Sequence, residues 1–355
     1  VTVEENVAPI VEFKAWGATF NELDWDALGM LTRDEQDEIL KNVFSPEGDL
    51  RISRGRISMN ANDYARSWYS CDEVAGDLEL RYFNIDRDKQ SIIPFIRAAQ
   101  KYNPELTFWT SPWCPPSWMK ITGDYPVLSS KFNHMPEKMN YILYGNVNDK
   151  VDPDEMKLVG RRGDKFPRQL ATTDYFIQDP RYLQAYANYF CKFIDAYKEQ
   201  GVNIDMVIYQ NEAYSYTPYP GCAWTAEGTV RFNRDYLGPT LRQKHPEVKL
   251  YLGTFNTNRV DYVQKIASDT KLQEYVSGMA FQWEGRESLP VLRKEHPEWN
   301  YMCSESECGR GSFDWGAGEH TFELMNHYLG NGCNEYTFWN FILADNGESP
   351  WGWKA

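Results

Sequence analysis

Histidine is scarce in this chain. The 355 residues include five histidines, His134, His245, His296, His320 and His327. None of them follows an apolar run that reads as a β-strand, although functional side chains of a parallel barrel sit at the strand ends. The sequence therefore predicts neither a histidine-based catalytic triad nor a histidine-bound metal site.

Paired cysteines and nucleotide-binding glycine motifs are also missing. The seven cysteines are an odd number and have no Cys-x-x-Cys spacing, so neither a zinc site nor a disulfide framework is predicted. No Gly-x-Gly-x-x-Gly or phosphate-loop pattern follows a strand-like run, which disfavours nucleotide chemistry. We expect the chain to need no metal and no organic cofactor.

Positive charge is in deficit, and long hydrophobic runs are absent. The 37 Lys and Arg residues against 51 Asp and Glu residues give a net charge of -14, which disfavours nucleic acid as a partner. No apolar run approaches the roughly 20 residues of a membrane span. The start at Val1 has no signal-peptide pattern.

Aromatic residues, by contrast, are abundant. The chain has 13 Trp, 23 Tyr and 18 Phe, together 15% of its residues. Aromatic faces stack on the apolar faces of sugars, although core packing also accounts for many of these residues. The length suits a single domain over residues 1–355 with a full hydrophobic core.

Eight short apolar or β-rich runs alternate with segments of helical character, which predicts an α/β fold of the (β/α)8 barrel class. The runs are Phe13–Phe20, Leu50–Met59, Leu106–Trp113, Ile204–Glu212, Lys249–Phe255, Val276–Glu284, Tyr301–Glu305 and Asn334–Phe341. Helices are predicted over Arg33–Phe44, Asp88–Tyr102, Pro180–Gln200, Ala226–Lys244 and His320–Gly330, with Asp179 as a helix cap before Pro180.

Two segments depart from this alternation. Residues 119–179 form a long loop excursion after the third strand, at the face where barrel loops shape substrate access; a disordered insert is the alternative. No helical pattern follows the eighth run, so the barrel is predicted to lack its last helix. An apolar strip is then expected along the outer flank of the first and last strands.

Two glutamates, Glu212 and Glu305, end strand-like runs. Glycoside cleavage needs one carboxyl group to protonate the departing oxygen and another to meet the developing oxocarbenium ion. A barrel of parallel strands would bring the two together across roughly 90 residues of sequence. Glu307 is an alternative to Glu305, because residues two apart in a strand face the same way.

Several motifs resemble glycoside hydrolase family thirty, the glucosylceramidase-like retaining β-glycosidases of the (β/α)8 clan. They are Ser111-Pro112-Trp113, Pro115-Pro116-Ser117-Trp118-Met119-Lys120, Gln210-Asn211-Glu212, Leu237-Gly238-Pro239-Thr240-Leu241 and Ser304-Glu305. The resemblance implies Glu212 as acid/base, Asn211 as partner of the sugar 2-hydroxyl, and Glu305 as nucleophile.

The same resemblance implies further substrate contacts. Arg56 matches an arginine beneath the sugar site, where its charge would favour the ionised form of Glu305. Asp63 and Trp113 match residues that hydrogen-bond sugar hydroxyls, and Trp339 matches a platform for the sugar ring. Core packing is the alternative for each aromatic. Arg54, on the same strand face as Arg56, is predicted to form a structural ion pair, with Asp63 as a candidate partner.

The chain departs from the glucosylceramidase members of that family in three places. Gln282 and Glu284 stand where those members have histidine and tyrosine, and both are predicted to point into the barrel and contact substrate. Ser58 replaces a proline. The β-sandwich side domain that accompanies the barrel in the family has no evident counterpart.

Together these features predict a retaining β-glycoside hydrolase that acts on a β-linked glucoside, with β-1,6-glucan or a short β-glucoside preferred. Glucosylceramidase and β-xylosidase or xylanase activity are alternatives, and a carbohydrate-binding protein on an inactive barrel is the non-enzyme alternative. The predicted partner is a carbohydrate substrate. By the resemblance, the protein is expected to be exported, either extracellular or periplasmic.

Overall fold

Eight parallel strands close into a barrel in sequence order. The computed structural model describes residues 10–136, 174–215, 217–306, 314–340, 342–345 and 347–352. The strands are Ala15–Phe20 (β1), Arg54–Met59 (β2), Thr107–Pro112 (β3), Ile204–Ile208 (β4), Lys249–Phe255 (β5), Val276–Gln282 (β6), Asn300–Ser306 (β7) and Glu335–Phe338 (β8). Each overlaps its predicted run, and the (β/α)8 prediction is confirmed.

Helices connect successive strands. They are Glu22–Gly29 (α1), Arg33–Phe44 (α2), Ile92–Gln100 (α3), Pro180–Glu199 (α4), Ala226–Phe232 (α5), Gly238–Lys244 (α6), Val260–Ala267 (α7), Thr270–Gln273 (α8), Ser288–Glu295 (α9) and Trp315–Gly330 (α10). Three predicted helices differ in detail. A 3-10 turn at Asp88–Gln90 precedes α3, a wider π turn at Asn233–Leu237 separates α5 from α6, and α10 begins five residues before the predicted His320.

The helix caps explain two boundaries that were predicted well. The Thr32 side chain accepts from the backbone N–H of Glu35, and the Glu35 side chain accepts from that of Thr32, so a capping box starts α2. Asp179 caps α4 by accepting from the backbone N–H of Arg181, with Pro180 in the first turn. The buried stripe of α4 has helical spacing and includes Leu183, Tyr186, Phe190, Phe193 and Tyr197.

The barrel interior changes from charged to apolar to polar along its axis. At the amino end of β2, Arg54 pairs with Asp205 at 2.6 Å and with Glu335 at 3.1 Å. Arg54 is thus a structural ion-pair residue as predicted, but its partners are these two acids and not Asp63. An apolar cluster comes next, formed by Trp109, Met206, Ile208, Tyr251, Ala280 and Met302. The polar candidate site lies above it.

The outer flank of β1 and β8 carries an apolar cavity of about 440 Å³. Its lining includes Trp16, Ala18, Leu50, Ile52, Met325 and Phe338. In the part of the chain that the structure describes, no helix follows β8, and the mainly apolar lining of this cavity lies where the apolar strip was predicted. Of the described helices, none has the length and apolar character needed to cross a membrane.

Candidate active site

Glu212 and Glu305 lie at the carboxyl ends of their strands. Glu305 is within β7 and 4% exposed, whereas Glu212 follows β4 and is 7% exposed. The backbone of Glu212 has a φ of 46°, a left-handed conformation that costs a non-glycine residue about 1–3 kcal/mol. Its N–H donates to the carbonyl oxygen of Thr254 at 3.1 Å, a contact that holds the glutamate in this conformation.

A buried ion pair holds Glu305. Nη1 of Arg56 donates to Oε2 of Glu305, and Nε2 of Gln282 donates to the same oxygen at 3.1 Å. Burial raises the pKa of the Glu305 carboxyl, while the Arg56 guanidinium opposes that rise and the negative charges of Glu212 and Asp63 add to it. Arg56 is therefore the group that favours the ionised form of Glu305.

Asn211 has a determined side-chain orientation. Its Oδ1 accepts from Arg56 Nη2 at 2.7 Å, Gln282 Nε2 at 2.8 Å and Thr254 Oγ1 at 2.9 Å. Three donors on one atom identify it as the amide oxygen. The Asn211 amide nitrogen therefore faces away from this network and presents only donors.

Two tryptophans form an aromatic wall beside Arg56. The rings of Trp113 and Trp339 stack with centroids 5.0 Å apart, and the guanidinium of Arg56 lies 4.2 Å from the Trp113 ring centroid. Tyr64 meets Trp339 edge-on at 6.0 Å. Both predicted tryptophans are thus brought to the site, although each also packs against the other.

Aromatic residues continue outward from this wall around Trp351, which follows β8. Its ring lies 5.5 Å from that of Trp68, 5.9 Å from that of Phe132 and 6.4 Å from that of Tyr219. We call these four residues the aromatic rim; all are half-buried. They come from the segments after β2, β3, β4 and β8, so the rim exists only once the barrel has closed.

Asp63 is also at the site. It follows β2 and is 6% exposed, and its negative charge acts on both Arg56 and Glu305. Contact of Asp63 with a sugar hydroxyl stays a prediction.

The prediction that Gln282 and Glu284 share an inward face was only half right. Gln282 ends β6, is fully buried and bonds to Glu305. Glu284 is exposed, because β6 ends at Gln282 and a 3-10 turn over Trp283–Glu287 follows. Strand alternation therefore no longer applies at Glu284, and its contact with substrate stays a prediction.

Sequence reasoning missed two side chains of the network. Asn256, the first residue after β5, donates through Nδ2 to Oε1 of Glu212 at 2.9 Å. Ser111 on β3 accepts from Nη2 of Arg56 at 3.1 Å. The position of Asn256 directly after a predicted strand was a signal that could have found it. Glu307 lies outside the described residues, so the interpretation of Glu305 rests on its own contacts.

Comparisons with known proteins show what this chain is similar to. A model of the glycosyl hydrolase family 30 TIM-barrel domain matches residues 13–131 and 176–354. Putative glucosylceramidase 1 of Caenorhabditis elegans is 27% identical over 95% of this chain and 60% of its own length. Endo-1,6-beta-D-glucanase neg1 of Aspergillus fumigatus is 23% identical over 75% of this chain and 48% of its own length. The chain thus spans about 60% of the length of the glucosylceramidases it matches.

Solved structures share the fold. SrfJ from Salmonella typhimurium superposes with a TM-score of 0.75 at 19% identity, covering 96% of this chain and 67% of that one. An endo-beta1,6-glucanase superposes with a TM-score of 0.74 at 22% identity, covering 99% of this chain and 71% of that one.

Proposed function

Because the chain belongs to glycosyl hydrolase family 30, we propose that it is a retaining β-glycosidase in which Glu212 is the acid/base and Glu305 the nucleophile. The observation that carries the proposal is the network around Arg56. This one buried guanidinium donates to Glu305 and to Asn211, the neighbour of Glu212. It thereby links the ends of β4 and β7, which carry the two glutamates that the reaction needs.

The proposed first step forms a covalent intermediate. Glu212 donates its proton to the glycosidic oxygen while Glu305 attacks the anomeric carbon, and the aglycone leaves with that proton. Arg56 and Gln282 hold Glu305 through Oε2, so the attacking carboxylate is oriented before substrate binds. The Asn211 amide nitrogen is directed to donate to the sugar 2-hydroxyl, where such bonds strengthen in the transition state.

The proposed second step releases the sugar. Glu212 takes a proton from water, the water oxygen bonds to the anomeric carbon, and the bond from that carbon to Glu305 breaks. Inversion occurs twice, so the product keeps the β configuration. Gln282 supports both steps as a neutral donor, since it orients Glu305 without adding a charge that would compete with Arg56.

For the substrate, we propose a β-linked glucoside, with β-1,6-glucan or a short β-glucoside preferred. The aromatic rim offers half-buried rings beside the Trp113 and Trp339 wall, and such rings suit stacking on a second glucosyl unit. Two relatives are named endo-1,6-β-glucanases. Glucosylceramide remains a second candidate, because other relatives are named glucosylceramidases.

A substrate panel tests both parts of this proposal. Wild type, Glu212→Gln and Glu305→Gln would be incubated with an aryl β-glucoside, β-1,6-glucan, xylan and glucosylceramide, and the first-formed anomer followed by proton NMR. We expect wild type to release β-anomeric glucose or glucan products, with both variants reduced by several orders of magnitude. An α-anomeric first product would rule out retention. Binding without hydrolysis of any substrate would support the carbohydrate-binding alternative.

A further inference from the structure

Asn256 lies between Glu212 and the backbone of Glu284. Its Nδ2 donates to Oε1 of Glu212 at 2.9 Å, and its Oδ1 accepts from the backbone N–H of Glu284 at 3.2 Å. A backbone N–H can only donate, so the amide oxygen must face Glu284. The amide nitrogen then faces Glu212. The Asn256 side chain is half-buried. Its two hydrogen-bond partners determine which amide atom is the nitrogen and which the oxygen, so the two flipped forms of the amide are not equivalent here.

This contact makes the two carboxyl oxygens of Glu212 unequal. Oε1 faces a group that can only donate, so it is favoured as the acceptor oxygen. The hydroxyl oxygen of a protonated carboxyl group is a weaker acceptor than its carbonyl oxygen. Protonation at Oε1 would therefore weaken the bond from Asn256, whereas protonation at Oε2 preserves it.

The geometry points to Asn256 as a positioning residue for the reaction, reserving Oε1 of Glu212 as an acceptor so that Oε2 carries the transferable proton. The inference rests on the proposed role of Glu212 as acid/base. In the first step the O–H bond at Oε2 breaks as the glycosidic oxygen gains that proton and leaves. In the second step Oε2 regains a proton from the attacking water, whose oxygen bonds to the anomeric carbon as Glu305 departs.

The backbone of Glu212 supports this assignment. Its N–H donates to the Thr254 carbonyl oxygen, and its own carbonyl oxygen accepts from the N–H of Ser215 at 2.9 Å. The main chain is therefore held at both sides of the residue. The contact from Asn256 limits the rotation that remains, which is that of the side chain.

Several charged groups surround Glu212, and Asn256 differs from all of them. Arg56 from β2, Asp63 after β2 and Glu305 from β7 form one charged cluster with it, and Glu284 belongs to the turn after β6. Asn256 is neutral, so its removal changes no charge in this set. It removes a donor that binds the carboxylate more strongly than the neutral carboxyl group, and the carboxyl group should then hold its proton to higher pH.

The test measures the protonation of Glu212 directly. Wild type, Asn256→Ala and Asn258→Ala would be labelled with carbon-13 at the glutamate side-chain carboxyls and titrated by NMR, with the Glu212 signal identified by its loss in Glu212→Gln. Asn258 is the matched control, because it is exposed in the same loop. We expect the pKa of Glu212 to rise by about one unit in Asn256→Ala only.

Kinetics give the second readout. For a β-glucoside with a poor leaving group, kcat/KM of Asn256→Ala should fall about tenfold. The midpoint of the basic limb of its pH profile should move to a pH about one unit higher. For a dinitrophenyl β-glucoside, whose departure needs little protonation, kcat/KM should change little. Asn258→Ala should match wild type on both substrates.

Equal Glu212 titration in the two alanine variants would overturn the inference. If Asn256→Ala does not fold, the milder substitution Asn256→Ser would be titrated in the same way. Failure of wild type to hydrolyse any β-glucoside would instead overturn the proposed function, while the NMR titration would still decide whether Asn256 controls the Glu212 proton.

Discussion

Arg56 and Glu305 form an ion pair that is almost fully removed from water. The Arg56 side chain is 0% exposed and that of Glu305 5% exposed, and 249 residues of sequence separate them. A buried charge that loses its partner is strongly destabilised, because water cannot replace the lost contact. The carboxylate of Glu305 therefore depends on Arg56 for its charged form, and the guanidinium of Arg56 depends on Glu305 for a counter-charge.

Arg56→Lys tests this dependence through the acidic limb of the pH profile. Lysine keeps the positive charge but cannot reproduce the several bonds from the guanidinium. Burial already raises the pKa of Glu305, and a weaker cation opposes that rise less. The carboxylate should therefore form only at higher pH. We expect the acidic limb of kcat/KM to move upward and kcat/KM to fall on the order of a hundredfold.

Arg54→Lys is the control on the same strand face. Arg54 pairs with Asp205 and Glu335, below the site. Its replacement should lower the melting temperature but leave the pH profile in place. An acidic limb that does not move in Arg56→Lys would contradict the proposed role of Glu305.

Azide rescue should separate the roles of the two glutamates. With a dinitrophenyl β-glucoside, Glu212→Ala should still form the glycosyl-enzyme, because the leaving group needs no proton. Azide should then attack that intermediate and give the β-glucosyl azide. Glu305→Gly should give the α-glucosyl azide, because azide attacks from the side of the missing nucleophile. Product anomers assigned by NMR decide the matter, and the same anomer from both variants would rule out the assignment.

Trp351→Ala should lower kcat/KM for a glucan more than kcat/KM for a substrate with a single sugar ring. Loss of a stacking ring costs about 1 kcal/mol or slightly more, so kcat/KM for a β-1,6-linked glucan oligosaccharide should fall about tenfold. β-Glucosyl fluoride has no second ring to stack, and its kcat/KM should stay near the wild-type value. Trp315→Ala is the control, since Trp315 is 81% exposed on α10. Equal losses on both substrates would argue against a sugar-binding role for the rim.

Asp88→Asn should change how stability depends on pH. Asp88 is fully buried and accepts from the hydroxyls of Tyr69 at 2.6 Å and Tyr197 at 2.7 Å. Burial raises its pKa to about 6, above the roughly 3.9 of an unfolded aspartate. The folded state thus holds the proton longer, and the stabilisation present below about pH 4 is lost as pH rises through 6.

Urea denaturation between pH 4 and 8 measures this effect. Wild type should lose up to about 3 kcal/mol of unfolding free energy from this one group over the interval, whereas Asp88→Asn should lack that loss. Asp86→Asn, at an exposed ion pair with Lys89, should follow wild type. Parallel curves for wild type and Asp88→Asn would show that Asp88 ionises normally.

Local patterns in the sequence determined the eight strands, the well-capped helices and the two strand-end glutamates. A run of apolar residues or a cap such as Asp179 before Pro180 acts over a few neighbours, so it can be recognised without the fold. The short helices α1, α7, α8 and α9 were not predicted, because eight residues or fewer contain too little periodicity to identify a helix.

Only the tertiary structure decided which side chains meet. Arg54 pairs with Asp205 and Glu335, which are 151 and 281 residues away in the sequence. No local sequence pattern can predict a contact between residues so far apart. Gln282 donates a hydrogen bond to Glu305, whereas Glu284 is exposed. The reason is that β6 ends at Gln282, so the alternation of side chains along a strand does not extend to Glu284. Asn256 reaches Glu212 because β4 and β5 pair as neighbouring parallel strands, so the residues that follow them lie side by side. The pairing of the strands in the folded barrel supplies these contacts, and they give the two glutamates their different surroundings.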